Sequence, residues 1–310
     1  MKKWKHLLKA VMAVGVIAMT AVQICAAAEG TAQAAASDVT PVSISTNEIS
    51  GWPVGPEITS ETGVLMDADS GTLLYSKGGD EIRYPASITK IMTLLLAVEN
   101  CSLKEDVVFT ETGTRDISWD SGNIGMQVGE VMSMRACLYA LVIRSANEVA
   151  AQIAEHVGGT EQHFVDMMNE RAAQIGCTNT HFVNANGLHS EDHYTTVYDL
   201  YLMFNAAMQH EEFLQMLQEK EYQASYQAAD GTTVEAVWST TNQFTKGDVT
   251  VPDGVTAVGG KTGTTTAAMS CLVQLFEDAQ GEQYVAIILG CKERGILYQE
   301  MQTFLSNLNN

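Results

Sequence analysis

The order of strand and helix patterns along the chain restricts the fold more than any other feature. Apolar runs separated by turn residues predict a hairpin at residues 63–68 and 72–76. Three more strands are predicted near the C-terminus, at residues 256–265, 269–276 and 283–290. Helical periodicity fills the region between the two sets, which indicates one sheet built from both termini. We therefore expect an α+β fold with an antiparallel sheet, flanking helices and a mostly helical subdomain.

The predicted helices differ in how they carry their apolar residues. Residues 87–99 are apolar on every side, and a helix of that kind belongs in the centre of a domain. Residues 133–157 also have helical periodicity, but polar residues interrupt it at 144–147. Further helices are predicted at 161–175, where Gly176 supplies a C-terminal cap, at 195–208 and at 296–308.

The N-terminus has the composition of an export signal. Lysines come first, an apolar run from Ala10 to Ile24 follows, and Ala26-Ala27-Ala28 matches a cleavage site. The alternative is a retained membrane anchor, which is disfavoured because the run is shorter than the ~20 residues that span a bilayer. We predict a signal at 1–28, an extended leader at 29–55 and one folded domain at 56–310. The domain would act outside the cytoplasm, with membrane attachment left open.

The charge of the chain excludes several classes of partner. Its formal net charge is −20, and removal of residues 1–28 takes away four lysines and no acid, which moves the charge to −24. A surface this acidic repels the phosphates of nucleic acids and of anionic lipids. We expect no nucleic-acid partner, and any reactive lysine must be a local positive feature in a negative field.

The cysteines indicate no disulfide framework and no metal cofactor. Beyond the predicted signal their number is odd, and their spacing matches no zinc or disulfide pattern. Three of them lie in apolar runs and are expected to be buried in the core: Cys137, Cys271 and Cys291.

A serine and a lysine at the start of the apolar helix form the first candidate reactive pair. Ser87 and Lys90 are three residues apart, so they share one helix face within hydrogen-bond reach. A serine hydroxyl needs a base to take its proton, and a lysine serves when burial or a nearby cation lowers its pKa. The helix start also places the Ser87 N–H group near a developing oxyanion. The alternative is a solvated pair on a surface helix.

A serine and an asparagine interrupt the second helical region. Ser145 and Asn147 lie in an apolar context, where polar side chains need partners. Their hydroxyl would relay a proton and their amide would hold a substrate carbonyl. Two other triplets share the S-x-N spacing, at 45–47 in the leader and at 121–123 in a polar loop. A helix cap is the alternative role for residues 145–147.

The last motif lies on a predicted strand at residues 256–265. Side chains alternate along a strand, so Lys261 and Gly263 share one face and Thr262 points the other way. Gly263 would let a substrate backbone lie close to this edge, and the Thr264 N–H group would be a second oxyanion donor. An edge strand protected by lysine is the alternative interpretation.

Together these motifs resemble those of the penicillin-recognising serine enzymes, in which S-x-x-K, S-x-N and K-T-G occur in this order. From about Gly55 onward the chain is similar to the low-molecular-mass D-alanyl-D-alanine carboxypeptidases. The similarity includes the first hairpin and the segments at 86–93, 145–148, 179–188 and 193–200. The resemblance implies a β-lactamase/transpeptidase-like fold and no cofactor. The family often carries a further β-domain and an amphipathic membrane helix, and this chain stops soon after the predicted catalytic domain, so the resemblance leaves membrane attachment open.

The resemblance also implies roles for single residues. Ser87 would be the acylated nucleophile and Lys90 the general base, with Ser145 and Lys261 as the proton-relay partners. The substrate would be the D-Ala-D-Ala end of a peptidoglycan stem peptide, β-lactam antibiotics would be covalent inhibitors, and no protein partner is implied. The residues implied in substrate binding are Asn147, Lys261, Thr262, Gly263, Thr264 and, as the candidate for the terminal carboxylate, Arg294.

Four other interpretations remain open at this point. An endopeptidase or transpeptidase would use the same acyl-enzyme, and a catalytically dead protein would only bind peptidoglycan. A β-lactamase needs a deacylating carboxylate between the S-x-N and K-T-G motifs, and no Glu-x-x-Leu-Asn loop is recognised there. A metallopeptidase would be built on loop residues that lack the glutamate of a helical zinc motif: His181, His189, Asp192 and His193.

Overall fold

The computed structural model describes residues 45–52, 54–115 and 121–306. The predicted signal at 1–28 and most of the predicted leader lie outside the described residues. The end of the leader is not extended, because Thr46–Glu48 forms a short 3₁₀-helix. Thr46 is buried there, and its Oγ1 accepts a hydrogen bond from the Ser76 N–H group at 3.0 Å. The folded region therefore begins before the boundary expected at residue 56.

The described residues form strands at both ends of the chain with helices between them, as the sequence predicts. The strands are β1 (Thr62–Asp67), β2 (Leu73–Lys77), β3 (Asp106–Val108), β4 (Val131–Ser133), β5 (Glu221–Gln227), β6 (Thr233–Ser239), β7 (Val255–Thr265), β8 (Met269–Asp278) and β9 (Gln283–Cys291). The helices are α1 (Lys90–Asn100), α2 (Met134–Tyr139), α3 (Asn147–Gly158), α4 (Glu161–Ile175), α5 (Val197–Met208), α6 (Glu211–Gln218), α7 (Gln243–Lys246) and α8 (Arg294–Ser306).

The main sheet is antiparallel and has the strand order β2-β1-β9-β8-β7. The first and last strands of the chain meet at its centre, where Gly63 pairs with Ile288. Both faces of this sheet are buried. On β1, Val64 packs with the central helices while Leu65 packs with α8 on the opposite face. The prediction of one sheet built from both termini is confirmed.

A second sheet, with the order β3-β4-β5-β6, lies outside the sequence predictions. Its hairpin β5–β6 is mostly exposed, and on β5 only Ala224 is buried. Tyr222, Ala224 and Tyr226 do alternate with polar residues on β5, so a period-two signal was available in the sequence. The two sheets share one large core with the helices, because Ala224 and Trp238 pack into the same apolar cluster as α1.

The central helix α1 is buried on all sides, as its composition predicts. Residues Lys90 to Ala97 are buried without a gap, which leaves no solvent face on the first two turns. The helix is preceded by a 3₁₀ turn at Ala86–Thr89, so the predicted helix start at residue 87 is tighter than an α-helix. None of the helices in residues 45–306 that the structure describes is long and apolar enough to cross a bilayer.

The interruption predicted at residues 144–147 is a change of helix type. The helix α2 continues into a π-helical turn at Ala140–Arg144, and Ser145 then adopts a left-handed conformation with φ 56°. Asn147 begins α3. A non-glycine residue in this region is strained by about 1–2 kcal/mol, a cost that recurs at functional positions. The π-helical turn therefore ends at Arg144, and a separate helix begins at Asn147.

Candidate active site

Ser87 lies in the 3₁₀ turn where the main sheet meets the helical region. Its Oγ is 3.0 Å from Lys90 Nζ, which also contacts Asn147 Oδ1 at 2.7 Å and the Asn186 carbonyl at 2.5 Å. A neutral amine has two N–H donors and one lone pair. The two carbonyl oxygens take both donors, so the lone pair faces the Ser87 hydroxyl. This arrangement suits a base that removes the serine proton.

The electrostatic surroundings of Lys90 favour its neutral form. Burial lowers the pKa of Lys90 well below its usual value of 10.5, and the nearby Lys261 lowers it further, while Glu148 opposes them. The side chain is only 2% exposed. A charged amine would lose its hydration there, so the surroundings favour the neutral amine with a free lone pair.

A second lysine and serine face the same cleft. Lys261 extends from β7, and its Nζ lies 3.0 Å from Ser145 Oγ and 2.8 Å from the Thr262 carbonyl. Burial lowers the pKa of Lys261 to about 7. Near neutral pH this amine therefore holds or releases a proton with similar ease, which suits a proton relay.

Of the S-x-N triplets, residues 145–147 supply the contacts to both lysines. Ser145 meets Lys261 and Asn147 meets Lys90. The Asn147 N–H group donates to the Gly122 carbonyl at 2.8 Å. This bond holds the loop that contains the triplet at 121–123 against the triplet at 145–147. Ser121 also lines the cleft.

Glu148 is a buried carboxylate that the sequence analysis did not assign a role. Its Oε1 accepts hydrogen bonds from the N–H groups of Ile124 and Gly125 at 2.6 and 3.1 Å. Burial raises its pKa, an effect that these backbone donors and Lys90 partly offset. The residue holds the 121–125 loop against α3, and its position directly after Asn147 was the available signal.

Backbone strain and close packing hold the nucleophile turn. Ala86 has a φ of +48°, although it is not a glycine. Gly187, with φ +84°, lies so close that a Cβ there would be 1.9 Å from the Ala86 carbonyl oxygen. Gly263 packs from the other side, where a Cβ would be 2.9 Å from the Pro85 carbonyl and 3.1 Å from the Ser87 nitrogen. The absence of a side chain at Gly263 thus lets β7 approach this turn, an effect additional to the expected room for substrate.

His193 stabilises this turn through Thr89. The Val183 N–H group donates to His193 Nδ1 at 3.1 Å, so Nε2 carries the proton. Nε2 lies 2.8 Å from Thr89 Oγ1, which in turn donates to the Ala86 carbonyl at 2.8 Å. Burial lowers the pKa of His193 to about 4, which keeps the ring neutral. The chain of bonds ends on the strained residue before Ser87.

The histidines of the metallopeptidase alternative have separate partners. His181 Nδ1 bonds to the Asp192 carbonyl at 2.6 Å, and the His189 ring lies edge-on to Tyr84 with centroids 4.6 Å apart. His193 bonds to Thr89 as described. These contacts give each ring a structural role in the loop, so the arrangement does not favour a metal site at these residues.

The motifs surround a cavity of about 910 Å³. Lys90 and Lys261 are buried beneath it. Arg144 and Arg294 carry the only charges among its described lining residues, although the chain as a whole has a net charge of −20. The predicted site residues that line the cavity are Ser87, Ser145, Asn147, Thr262, Gly263, Thr264 and Arg294.

Side chains alternate on β7 as predicted. Lys261 and Gly263 are buried, whereas Thr262 is partly exposed and Thr264 is exposed. Thr262 Oγ1 lies 3.2 Å from Thr241 Oγ1, on the loop that follows β6. The unpredicted second sheet therefore contributes to this wall of the cleft.

Comparison with known sequences identifies related proteins. A family model described as D-alanyl-D-alanine carboxypeptidase matches residues 50–293. A D-alanyl-D-alanine carboxypeptidase of Bacillus subtilis is 34% identical over 154 residues, which cover 49% of this chain and 40% of that protein. A D-alanyl-D-alanine endopeptidase of Pseudomonas aeruginosa is 30% identical over 175 residues, or 56% of each chain. The chain thus matches less than half the length of the Bacillus relative.

Solved structures share the fold. A Streptomyces DD-transpeptidase has a TM-score of 0.75 at 25% identity, covering 82% of this chain and 98% of that one. A D-alanyl-D-alanine carboxypeptidase of Mycobacterium tuberculosis has a TM-score of 0.72 at 26% identity, covering 83% and 93%. These similarities confirm the expected α+β, β-lactamase/transpeptidase-like fold.

Proposed function

The chain belongs to the D-alanyl-D-alanine carboxypeptidase family, and from this membership we propose that it hydrolyses the terminal D-Ala-D-Ala bond of peptidoglycan stem peptides. The observation that carries the proposal is the 3.0 Å contact between Ser87 Oγ and the buried Lys90 Nζ. A nucleophile and a neutral base in one cleft are what acyl transfer requires. The export pattern at residues 1–28 supports action outside the cytoplasm, where peptidoglycan lies.

In the first step Ser87 Oγ attacks the carbonyl carbon of the penultimate D-Ala. The serine proton moves to Lys90 Nζ, and the carbonyl oxygen becomes an oxyanion. The N–H groups of Ser87 and Thr264 are the proposed donors to that oxyanion. One such donor is worth about 10²–10³-fold in rate.

In the second step the C–N bond breaks and the terminal D-Ala leaves. Its amine takes a proton through Ser145 Oγ, which lies 3.0 Å from Lys261 Nζ. Asn147 holds Lys90, which keeps the serine proton during this step, and offers its amide nitrogen to the substrate. The product of the step is an ester between Ser87 and the shortened peptide. Water then attacks the ester and gives a proton to Lys261, while Lys90 returns its proton to Ser87 Oγ and the shortened peptide leaves with a carboxylate.

The substrate carboxylate explains the positive cleft. The leaving D-Ala carries a free carboxylate, and Arg294 is the proposed partner at the start of α8. The hydroxyls of Thr262 and Thr264 line the same wall. A guanidinium pairs with a carboxylate through two parallel hydrogen bonds, which selects a peptide that ends there.

Intact mass spectrometry after penicillin treatment tests the proposal. The wild type should gain the mass of one penicillin, since a β-lactam acylates the same serine, and Ser87→Ala should gain none. Ser121→Ala is the matched control, because it removes another hydroxyl that lines the cleft, and it should keep the adduct. Release of D-alanine from a pentapeptide should fall at least about 10⁴-fold in Ser87→Ala. An adduct on Ser87→Ala, or unchanged D-alanine release, would contradict the proposal.

A D,D-endopeptidase or transpeptidase activity is the second candidate, because similar proteins carry those names. All these reactions share the acyl-enzyme and differ in the group that leaves or accepts. Products from cross-linked and uncross-linked peptides would separate the activities. A β-lactamase is disfavoured, since no described residue that lines the cleft is acidic. Rapid release of the penicillin adduct would instead support it.

A further inference from the structure

A thiol, a carboxylate and an imidazole converge at the end of the helical region opposite to Ser87. Cys101 is the residue that caps the C-terminus of α1, and Glu105 lies in the loop before β3. His156 is in the last turn of α3. His156 Nε2 lies 3.2 Å from Glu105 Oε2, and the three possible ligand atoms all lie within 4.8 Å of one another. We propose that this cluster binds one divalent cation of the zinc class.

The ligand chemistry and spacing match tetrahedral zinc. Cysteine, histidine and carboxylate are all common zinc ligands. Two ligand atoms about 2.0 Å from a tetrahedral zinc ion lie roughly 3.3 Å apart, which is close to the 3.2 Å between His156 and Glu105. A thiolate bound about 2.3 Å from the zinc ion would lie roughly 3.5 Å from the other two ligand atoms, and the Cys101 thiol is within 4.8 Å of both. Because Glu105 is exposed, water can reach a fourth coordination position.

The charges balance in the proposed complex. The Cys101 thiol releases its proton to solvent as the metal–sulfur bond forms, so the thiolate and the carboxylate together carry two negative charges. They neutralise the two charges of the cation, while the imidazole donates a lone pair. No redox step is involved.

The helix termini at the cluster also favour a cation. Both α1 and α3 end there, and each helix carries a partial negative charge at its C-terminus. This field is independent of the three side chains. It acts where α1 and α3 end beside the Cys101 thiol and the His156 imidazole.

The site would clamp the two helices that begin at the active site. The helix α1 begins with Lys90 and α3 begins with Asn147, and these side chains contact each other at 2.7 Å. Eleven residues of α1 place the cluster about 16 Å from Lys90. A metal at the far ends would restrain the same helix pair. The sequence gives no motif for it, because Cys101 and His156 come together only through tertiary packing.

Cobalt spectroscopy on the full chain tests the proposal. After treatment with a chelator, Co²⁺ titration should saturate at one equivalent and produce a thiolate-to-cobalt charge-transfer band with tetrahedral d–d bands. Added Zn²⁺ should remove them. The charge-transfer band should be absent in Cys101→Ser and retained in Cys177→Ser, a matched control with another partly buried free thiol. Zinc should raise the melting temperature of the wild type and of this control only.

Two further variants keep the test decisive. Glu105→Gln and His156→Gln should each weaken Co²⁺ binding at least about tenfold. Glu105 is exposed, so its variant removes a ligand without altering the core if Cys101→Ser fails to fold by circular dichroism. A wild type without the charge-transfer band would overturn the proposal. So would a band that persists in folded Cys101→Ser, or one that Cys177→Ser loses equally.

Discussion

Lys261 Nζ and Ser145 Oγ lie 3.0 Å apart, although 116 residues separate them in the chain. Two residues after Ser145, Asn147 Oδ1 contacts Lys90 Nζ at 2.7 Å. One strained turn therefore holds both lysines, one from the main sheet and one from α1. The proton path proposed for catalysis runs through this turn.

The depressed pKa of Lys261 predicts a pH dependence of stability. The folded pKa is about 7 and the ordinary value is 10.5, so between these values the unfolded chain binds more protons than the native protein. The free energy of unfolding should rise with pH across this window, by about 1.4 kcal/mol per pH unit from this group. In Lys261→Met that contribution is lost. Chemical denaturation from pH 7.5 to 9.5 should show that the free energy of unfolding of the wild type rises, relative to that of Lys261→Met, at this rate.

An exposed lysine provides the control for that measurement. Lys104→Met removes a lysine from the surface without touching the cleft. Equal pH slopes for wild type and Lys261→Met would show that Lys261 remains charged in the folded protein at these pH values. The relay role proposed for it would then need a different donor.

Gly187→Ala should displace the nucleophile. The new Cβ would lie 1.9 Å from the Ala86 carbonyl oxygen, so the turn that carries Ser87 must shift. A displacement of 1 Å at a reacting group can cost about 10²-fold in rate. We expect acylation by penicillin, measured by stopped-flow or mass spectrometry, to slow by at least that factor.

Gly176→Ala is the matched control for this change. Gly176 also has a positive φ, of 102°, but its Cβ would meet no atom within 4 Å. It should lose about 1–2 kcal/mol of stability from backbone strain and keep its acylation rate. Equal effects of the two substitutions would show that strain, not contact with Ala86, is responsible.

His193 should make the protein sensitive to acid. Its folded pKa is about 4 and its ordinary value is 6.5, so the native protein binds fewer protons than the unfolded chain between these values. Stability is therefore complete above pH 6.5 and is lost as pH falls towards 4, by about 3 kcal/mol in total from this residue. His193→Gln should flatten this part of the stability profile, and exposed His163→Gln should not.

The same variant separates a positioning role from a purely structural one. Loss of the bond to Thr89 loosens the turn that holds Ser87, so kcat for acylation should fall while KM changes little. A variant whose kcat matches that of the wild type at pH 7 would contradict the positioning role.

Arg294→Gln should weaken binding of the terminal carboxylate. A hydrogen bond to a charged group is worth about 1.5–3 kcal/mol, so KM for a D-Ala-D-Ala peptide should rise about 10- to 100-fold. The matched variant is Arg144→Gln, which removes the other described guanidinium of the cleft. A peptide amide that lacks the carboxylate should be hydrolysed equally by wild type and Arg294→Gln. A larger effect of Arg144→Gln on KM would transfer the carboxylate role to Arg144.

The parts of the fold that bury apolar residues could be predicted from the sequence. Helix α4 has the predicted bounds, because its periodicity is regular and Gly176 ends it with a φ of 102°. The predicted bounds of the strands β7 to β9 agree with the structure within two residues at each end. The strands β8 and β9 are long apolar runs that are almost entirely buried, whereas β7 mixes apolar residues with threonines, glycines and Lys261. The sequence predictions do not include the hairpin β5–β6, although Tyr222, Ala224 and Tyr226 alternate with polar residues on β5, because most of its side chains face water and it contains no long apolar run.

The site could be predicted where chemistry depends on side-chain type and spacing. Ser87 and Lys90 are one turn apart, so their contact follows from helix geometry. The Asn186 carbonyl that binds Lys90 has no such signal, because any residue offers a carbonyl and only the fold positions it. The link from His193 to Ala86 likewise depends on a loop packed against the nucleophile turn.

The pairing of β1 with β9 governs when the cleft can form. During synthesis the hairpin β1–β2 emerges first and β9, the strand that pairs with β1, emerges last of the described strands. Gly63 on β1 must therefore pair with Ile288, a residue far along the chain. Such distant pairing carries a large loop-closure entropy and slows folding. Until β9 has been synthesised, β8 and β7 have no sheet to extend, and Lys261 cannot reach Ser145. Truncation before residue 283 should therefore yield a chain without a reactive serine, not a weakened enzyme.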